Sequence, residues 1–173
     1  MRFFFPLFLF FFIINSPVIS EQKIVFVDMD RLVSTSKPGS SIFNQLKDIN
    51  NKNLNFLKKE EKKFKEKEKK LITQKNIISE NDFKNKVDEL KSEVNNYNQN
   101  RNEIIKKFNK LKVENTNNLL KLINPILAKY STENEISIIL QKKDLIIGKT
   151  ELDITDKIIT IINNEIKEFK IKN

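Results

Sequence analysis

Between Ser41 and Ile78 the chain reads SIFNQLKDINNKNLNFLKKEEKKFKEKEKKLITQKNII, and this stretch decides the fold. It holds neither glycine nor proline. Phe43, Asn50, Leu57, Phe64, Leu71 and Ile78 recur at intervals of seven, with Leu46 and Leu54 adding apolar positions on the same side. A second series follows at the same interval: Phe83, Leu90, Tyr97, Ile104 and Leu111. Val87, Val94, Arg101 and Phe108 lie four residues after its first four members. Sustained seven-residue spacing is the signature of helices that wind around one another. The two series are out of phase across Asn76–Asp82. There Ser79, followed three residues later by Asp82, resembles a weak capping box that starts a new helix. The expectation is an antiparallel helical hairpin over residues 37–130, with legs of about 55–70 Å at about 1.5 Å per residue. The competing reading is one continuous helix without a turn. Asn50, Asn53, Glu60, Lys67 and Gln74 stand where a rigid seam wants Leu or Ile, so the hairpin should bend or splay.

The flanks have another texture. Lys23-Ile24-Val25-Phe26-Val27-Asp28-Met29 reads as a strand apolar on both faces. Asp30-Arg31-Leu32-Val33 suggests a short helical turn, and Lys37-Pro38-Gly39-Ser40 a break. Beyond the arm, Glu135–Leu140 and Leu145–Gly148 read as two strands of a hairpin around the polar turn 141–144. Thr155 suits an N-cap of a closing helix that buries Ile158, Ile159, Ile162 and Ile166; Asp156 complements its dipole. Residues 21–36 and 131–173 thus make a β-rich body. Its expected core is Ile24, Val25, Phe26, Val27, Ile136, Ile138, Leu140 and Ile146. The fold class is α+β, mostly α: a long coiled-coil hairpin arm on a small body. That core is too small to be comfortable alone, so the body should self-associate.

At the other end, Arg2, an apolar run Phe3–Ile14 broken by Pro6, and Val18 and Ser20 before a cut after residue 20 make residues 1–20 a cleavable signal peptide. An uncleaved anchor is the alternative, but about twelve apolar residues fall short of the roughly twenty of a spanning helix. No cysteine is available for a lipid.

The 173 residues contain no cysteine, histidine or tryptophan and two glycines. Thiol and imidazole chemistry, disulfides and glycine-rich phosphate loops are excluded, and the composition indicates a scaffold or binding protein rather than an enzyme. Asp28 and Asp30 form an Asp-x-Asp pair, and Asp153 and Asp156 a possible acid–base pair; helix capping explains both more simply. Tyr97 and Arg101, one turn apart, suit a packing pair in the seam.

The net charge of +9 is unevenly spread. Residues 37–130 carry 22 basic and 12 acidic side chains, whereas each body segment sums to −1. In the densest stretch Lys58, Lys59, Lys62, Lys63, Lys65, Lys67, Lys69 and Lys70 face four glutamates. Together with Lys84, Lys86 and Arg101 they form the candidate surface for anionic or extended partners. A solvated helix face is the plainer reading. Nucleic acid is disfavoured, because arginines for base-edge readout and interleaved aromatics for stacking are missing.

These features together resemble the OmpH/Skp family of periplasmic chaperones. The resemblance rests on the signal peptide, on Lys23–Leu32, on the Pro38-Gly39 break, and above all on Glu135–Leu140, Leu145–Gly148 and Leu152-Asp153-Ile154-Thr155-Asp156. It implies a homotrimer whose bodies join and whose arms surround a cavity. Such proteins hold unfolded outer-membrane proteins without ATP, prevent aggregation and assist delivery to the outer membrane. The resemblance implies no catalytic residues and no cofactor. Anionic lipid or lipopolysaccharide headgroups are further partners it suggests. The alternative is an exported coiled-coil structural or adhesion protein that binds a folded envelope partner.

Overall fold

The computed structural model describes residues 22–171; the expected signal peptide lies outside them. Strand β1 (Lys23–Val27) leads into helix α1 (Met29–Thr35), long helices α2 (Lys37–Gln74) and α3 (Glu80–Glu133), strand β2 (Ile136–Gln141) and helix α4 (Thr155–Glu165). The two long helices are antiparallel and form the expected hairpin. At 38 and 54 residues they extend about 57 and 81 Å at about 1.5 Å per residue. Among the described residues no helix is long and apolar enough to cross a membrane.

Local chemistry explains each helix boundary. Asp28 caps α1, its carboxylate accepting the Arg31 N–H at 2.9 Å. Lys37-Pro38-Gly39-Ser40 does not break the chain as expected; it is the first turn of α2. Ser36 is the cap, with Oγ accepting the Gly39 N–H at 3.3 Å, and Pro38 sits where a missing N–H costs little. The Lys37 N–H, orphaned by the helix start, donates to Asn163 Oδ1 at 2.6 Å. Ser79 starts α3 as expected, accepting the Asp82 N–H at 3.1 Å. Past Asn134 the chain turns through Glu135 at φ 54°, a left-handed conformation that sends it into β2.

The sheet differs from the expected hairpin. β2 pairs in parallel with β1, with Ile24 opposite Ile138, Val25 opposite Ile139 and Phe26 opposite Leu140. Parallel neighbours need a long crossover, and here the whole helical arm is that crossover. Leu145–Gly148 is not a strand. After a tight turn at Lys142–Asp144 it runs over Phe26, where a Cβ on Gly148 would lie 2.8 Å from the ring. Ile154 then donates its N–H to the Phe26 carbonyl at 3.0 Å, closing that side of β1.

The core is one-sided. Val25, Val27 and Ile136 pack with Leu32, Ile154, Ile158, Ile162 and the roots of both arm helices: Ile42, Leu46, Leu119, Ile123 and Ile126. Of the expected core, Val25, Phe26, Val27 and Ile136 are buried within one chain. Ile24, Ile138, Leu140 and Ile146 are not, because they lie on the sheet face and loop turned away from the helices. Ile42, Leu119, Ile123 and Ile126 lie outside the seven-residue series but within residues 37–130, the expected arm, and the body core reaches into that arm. Phe43, expected in the seam, is exposed; Ile42 and Leu46 take the inward positions at the root.

Candidate functional site

The seam of the arm is thin, and its polar members were legible. Asn50, Asn53, Glu60 and Gln74 are half-buried between the legs, while of the first-leg apolar residues only Leu57 beyond the root is fully covered. Three cross-leg contacts set the register. Tyr97 donates its hydroxyl hydrogen to Glu61 Oε1 at 2.8 Å and packs edge-on against Phe64, with ring centres 5.4 Å apart. Lys67 pairs with Glu93 at 2.5 Å, and Lys86 Nζ donates to Gln74 Oε1 at 2.9 Å. Burial raises the Tyr97 phenol above its ordinary value of 10.0, and the hydrogen bond to Glu61 adds to this. Arg101, one turn on, is exposed, and its charge acts on the Tyr97 hydroxyl; the ring itself packs against Phe64 of the facing leg.

Every candidate lysine of the arm is exposed, as is Arg101: Lys58, Lys59, Lys62, Lys63, Lys65, Lys67, Lys69, Lys70, Lys84 and Lys86. Lys62 and Lys63 reach Glu66 and Glu60 within the helix. Such exposed pairs contribute about 0–1 kcal/mol and leave the surrounding field basic.

Apolar side chains stand among these charges. Leu54 and Phe56 are exposed on α2, and the cross-leg pairs put them level with exposed Ile105 on α3; Val113 follows nearer the body, Ile72 and Ile77 near the turn. Leu54, expected on the seam side, faces solvent. Phe56 and Ile105 fall outside the seven-residue series, and that was the overlooked signal. In the outer half, the legs part around an open groove of about 790 Å³ lined by Phe64, Leu71, Phe83, Val87, Leu90 and Val94. The arm can therefore offer basic charge and scattered greasy contacts along its length.

The body offers a second surface. β2 has one strand neighbour among the described residues, leaving an open edge. Ile24, Ile138 and Leu140 are exposed on the same sheet face, with Ile146 and Ile147 standing out beside it. An open apolar edge of this kind invites another chain.

The carboxylates behave as structural groups. Thr155 is not the N-cap: it is the first residue of α4, and the Asp153 carboxylate accepts its N–H at 3.0 Å. The Thr155 hydroxyl donates to Asp153 Oδ1 and accepts the Asp28 N–H at 2.9 Å, tying α4 to the start of α1. Arg31 pairs with Asp156 at 2.6 Å across the same joint. Lys142 Nζ lies 2.9 Å from Asp153 and 5.9 Å above the Phe26 ring. No cluster of acidic side chains among the described residues could hold a metal ion.

Burial pushes the Asp153 carboxyl up, but hydrogen bonds from Thr155 and Lys142 outweigh this and hold it below its ordinary 3.8. A depressed carboxylate contributes stability that is present above the unfolded value and lost as pH falls through the folded one. Lys142, raised by its hydrogen bond to Asp153, loses its share only as pH rises above its ordinary 10.5. The joint is thus insensitive to pH near neutrality and weakens in acid below about 4. Asp153→Asn should flatten the acid limb of a urea-midpoint profile between pH 5 and 3. An unchanged slope would show that other carboxylates set the acid response.

Comparison with known proteins places this geometry. The family description "Outer membrane protein (OmpH-like)" matches residues 23–162. The chain is similar to the crystal structure of an OmpH-like protein from Caulobacter crescentus, solved as a candidate outer membrane chaperone. The TM-score is 0.81 at 16% identity, over 88% of this chain and 90% of that one. No curated protein matches the chain.

Proposed function

This chain belongs to the OmpH-like outer membrane protein family, and we propose that it is an ATP-independent periplasmic holdase for unfolded outer-membrane proteins. Three chains join through the outer sheet face of Ile24, Ile138 and Leu140 with Ile146 beside it, and their arms enclose a cavity. The single observation that carries the holding role is the arm surface: exposed Leu54, Phe56, Ile105 and Val113 set among exposed lysines on a hairpin with a polar seam. An unfolded barrel protein exposes apolar side chains and, in many cases, acidic ones. Many weak contacts at high effective concentration hold such a chain without trapping it. A seam interrupted by Asn50, Asn53 and Gln74 lets the arms splay around clients of different size. Residues 1–20 supply export to the periplasm.

Replacing Leu54, Phe56, Ile105 and Val113 together by serine should weaken capture of a urea-unfolded barrel protein by about tenfold or more, about 1.4 kcal/mol. Far-UV circular dichroism should not change, since these side chains leave the core untouched. Undiminished capture would remove the apolar arm surface from the account. Binding to a folded envelope protein, with no preference for unfolded chains, would instead favour the structural or adhesion reading.

A further inference from the structure

After α4 ends at Glu165, the chain leaves through an extended Ile166 and runs without helix or strand to Ile171, meeting the root of α2 at Ser41 and Gln45. From Glu168 on its side chains alternate: Phe169 is buried and Ile171 half-buried, while Glu168 and Lys170 are exposed. That period of two belongs to a strand, yet among the described residues the segment pairs with no strand. Two side chains of α2 hold its backbone. Gln45 Nε2 donates to the Phe169 carbonyl at 2.8 Å, and Gln45 Oε1 accepts the Ile171 N–H at 3.1 Å. Bonding the carbonyl of one residue and the N–H of the second residue along is how a parallel strand reads its neighbour. Ser41 Oγ donates to the same Phe169 carbonyl at 3.0 Å and also accepts from Gln45 Nε2 at 3.0 Å, fixing the amide. The family match ends at residue 162, before this segment.

We infer that Ser41 and Gln45, with the apolar core surface against which Phe169 is buried, form a binding site for an extended peptide. The chain's own segment Ile166–Ile171 fills it as a displaceable mimic. The site reads backbone plus one aromatic anchor, so it takes extended segments of alternating polarity with little regard to other side chains. The identity of the natural competitor, a strand segment of an unfolded barrel protein, rests on the holdase reading; the site itself does not. Tethering gives the internal segment an effective concentration of about millimolar, so a competitor gains entry when the segment is loosened.

The test uses a fluorescent peptide of residues 165–173 and the full chain. Phe169→Ala removes the anchor, and Ile171→Pro removes the N–H that Gln45 accepts while leaving Phe169 in place. Either variant, once shown folded by circular dichroism, should bind the peptide at least about tenfold more tightly than the unaltered chain. Gln45→Leu added to either should abolish that gain, and a peptide with alanine for its phenylalanine should not bind. Equal or absent binding across all chains would overturn the site and leave the segment as fixed core. Loss of client protection with peptide binding intact would count against the holdase reading alone.

Discussion

Gly39→Ala is expected to destabilise the chain by about 3 kcal/mol or more. A Cβ at this position would lie 1.7 Å from the Val33 carbonyl oxygen and 2.7 Å from its carbon. Those are backbone atoms of α1, so no side-chain rotation relieves the clash; α1 and α2 would have to separate. Ser36, the cap between them, is fully buried and has no room to absorb the shift. The sign is diagnostic. Gly39 does not occupy a left-handed conformation, and alanine in an unobstructed helix turn would stabilise by about 0.4–1 kcal/mol. Urea denaturation decides: a sharply lowered midpoint is expected, and a raised one would mean that the α1–α2 joint is looser than described.

The second large effect concerns assembly. Ile138→Lys with Leu140→Lys should convert the proposed trimer into monomers. Both side chains are substantially exposed in one chain, at 45% and 39%, so the protomer should keep its helical spectrum. Two charges placed at the centre of an apolar interface cost several kcal/mol in desolvation, and each appears once per chain in a closed ring. Light scattering should report the mass of one chain instead of three, and client protection should fall with it, because a lone arm encloses nothing. A variant that stays trimeric would place the interface elsewhere.

Much of the arm was legible because its determinants are local. Seven-residue spacing, the Ser79–Asp82 cap and the polar seam at Asn50 and Asn53 are read within a turn or two of each residue. The body was less so, because its determinants lie far apart in the chain. β1 meets a partner more than a hundred residues away, and a period of two says that Ile136–Gln141 is a strand without saying what lies beside it. Nearness in sequence therefore favoured Leu145–Gly148, whose backbone instead lies over Phe26 with Ile146 and Ile147 in solvent. Thr155 looked like a cap for a similar reason. Its hydroxyl accepts the Asp28 N–H, a long-range contact that no local pattern encodes, while donating to nearby Asp153. Lysine charge was visible throughout. Phe56 and Ile105, the greasy part of the candidate surface, were passed over because they fit no repeat.

The most direct measurement dilutes a urea-unfolded outer-membrane barrel protein into the purified mature chain at low salt and follows the mass of what stays in solution. The expected result is a soluble complex of three chains with one client, and no aggregate above the level of the chain alone. A client that aggregates as it does in buffer, beside a chain that elutes as a monomer, would contradict it.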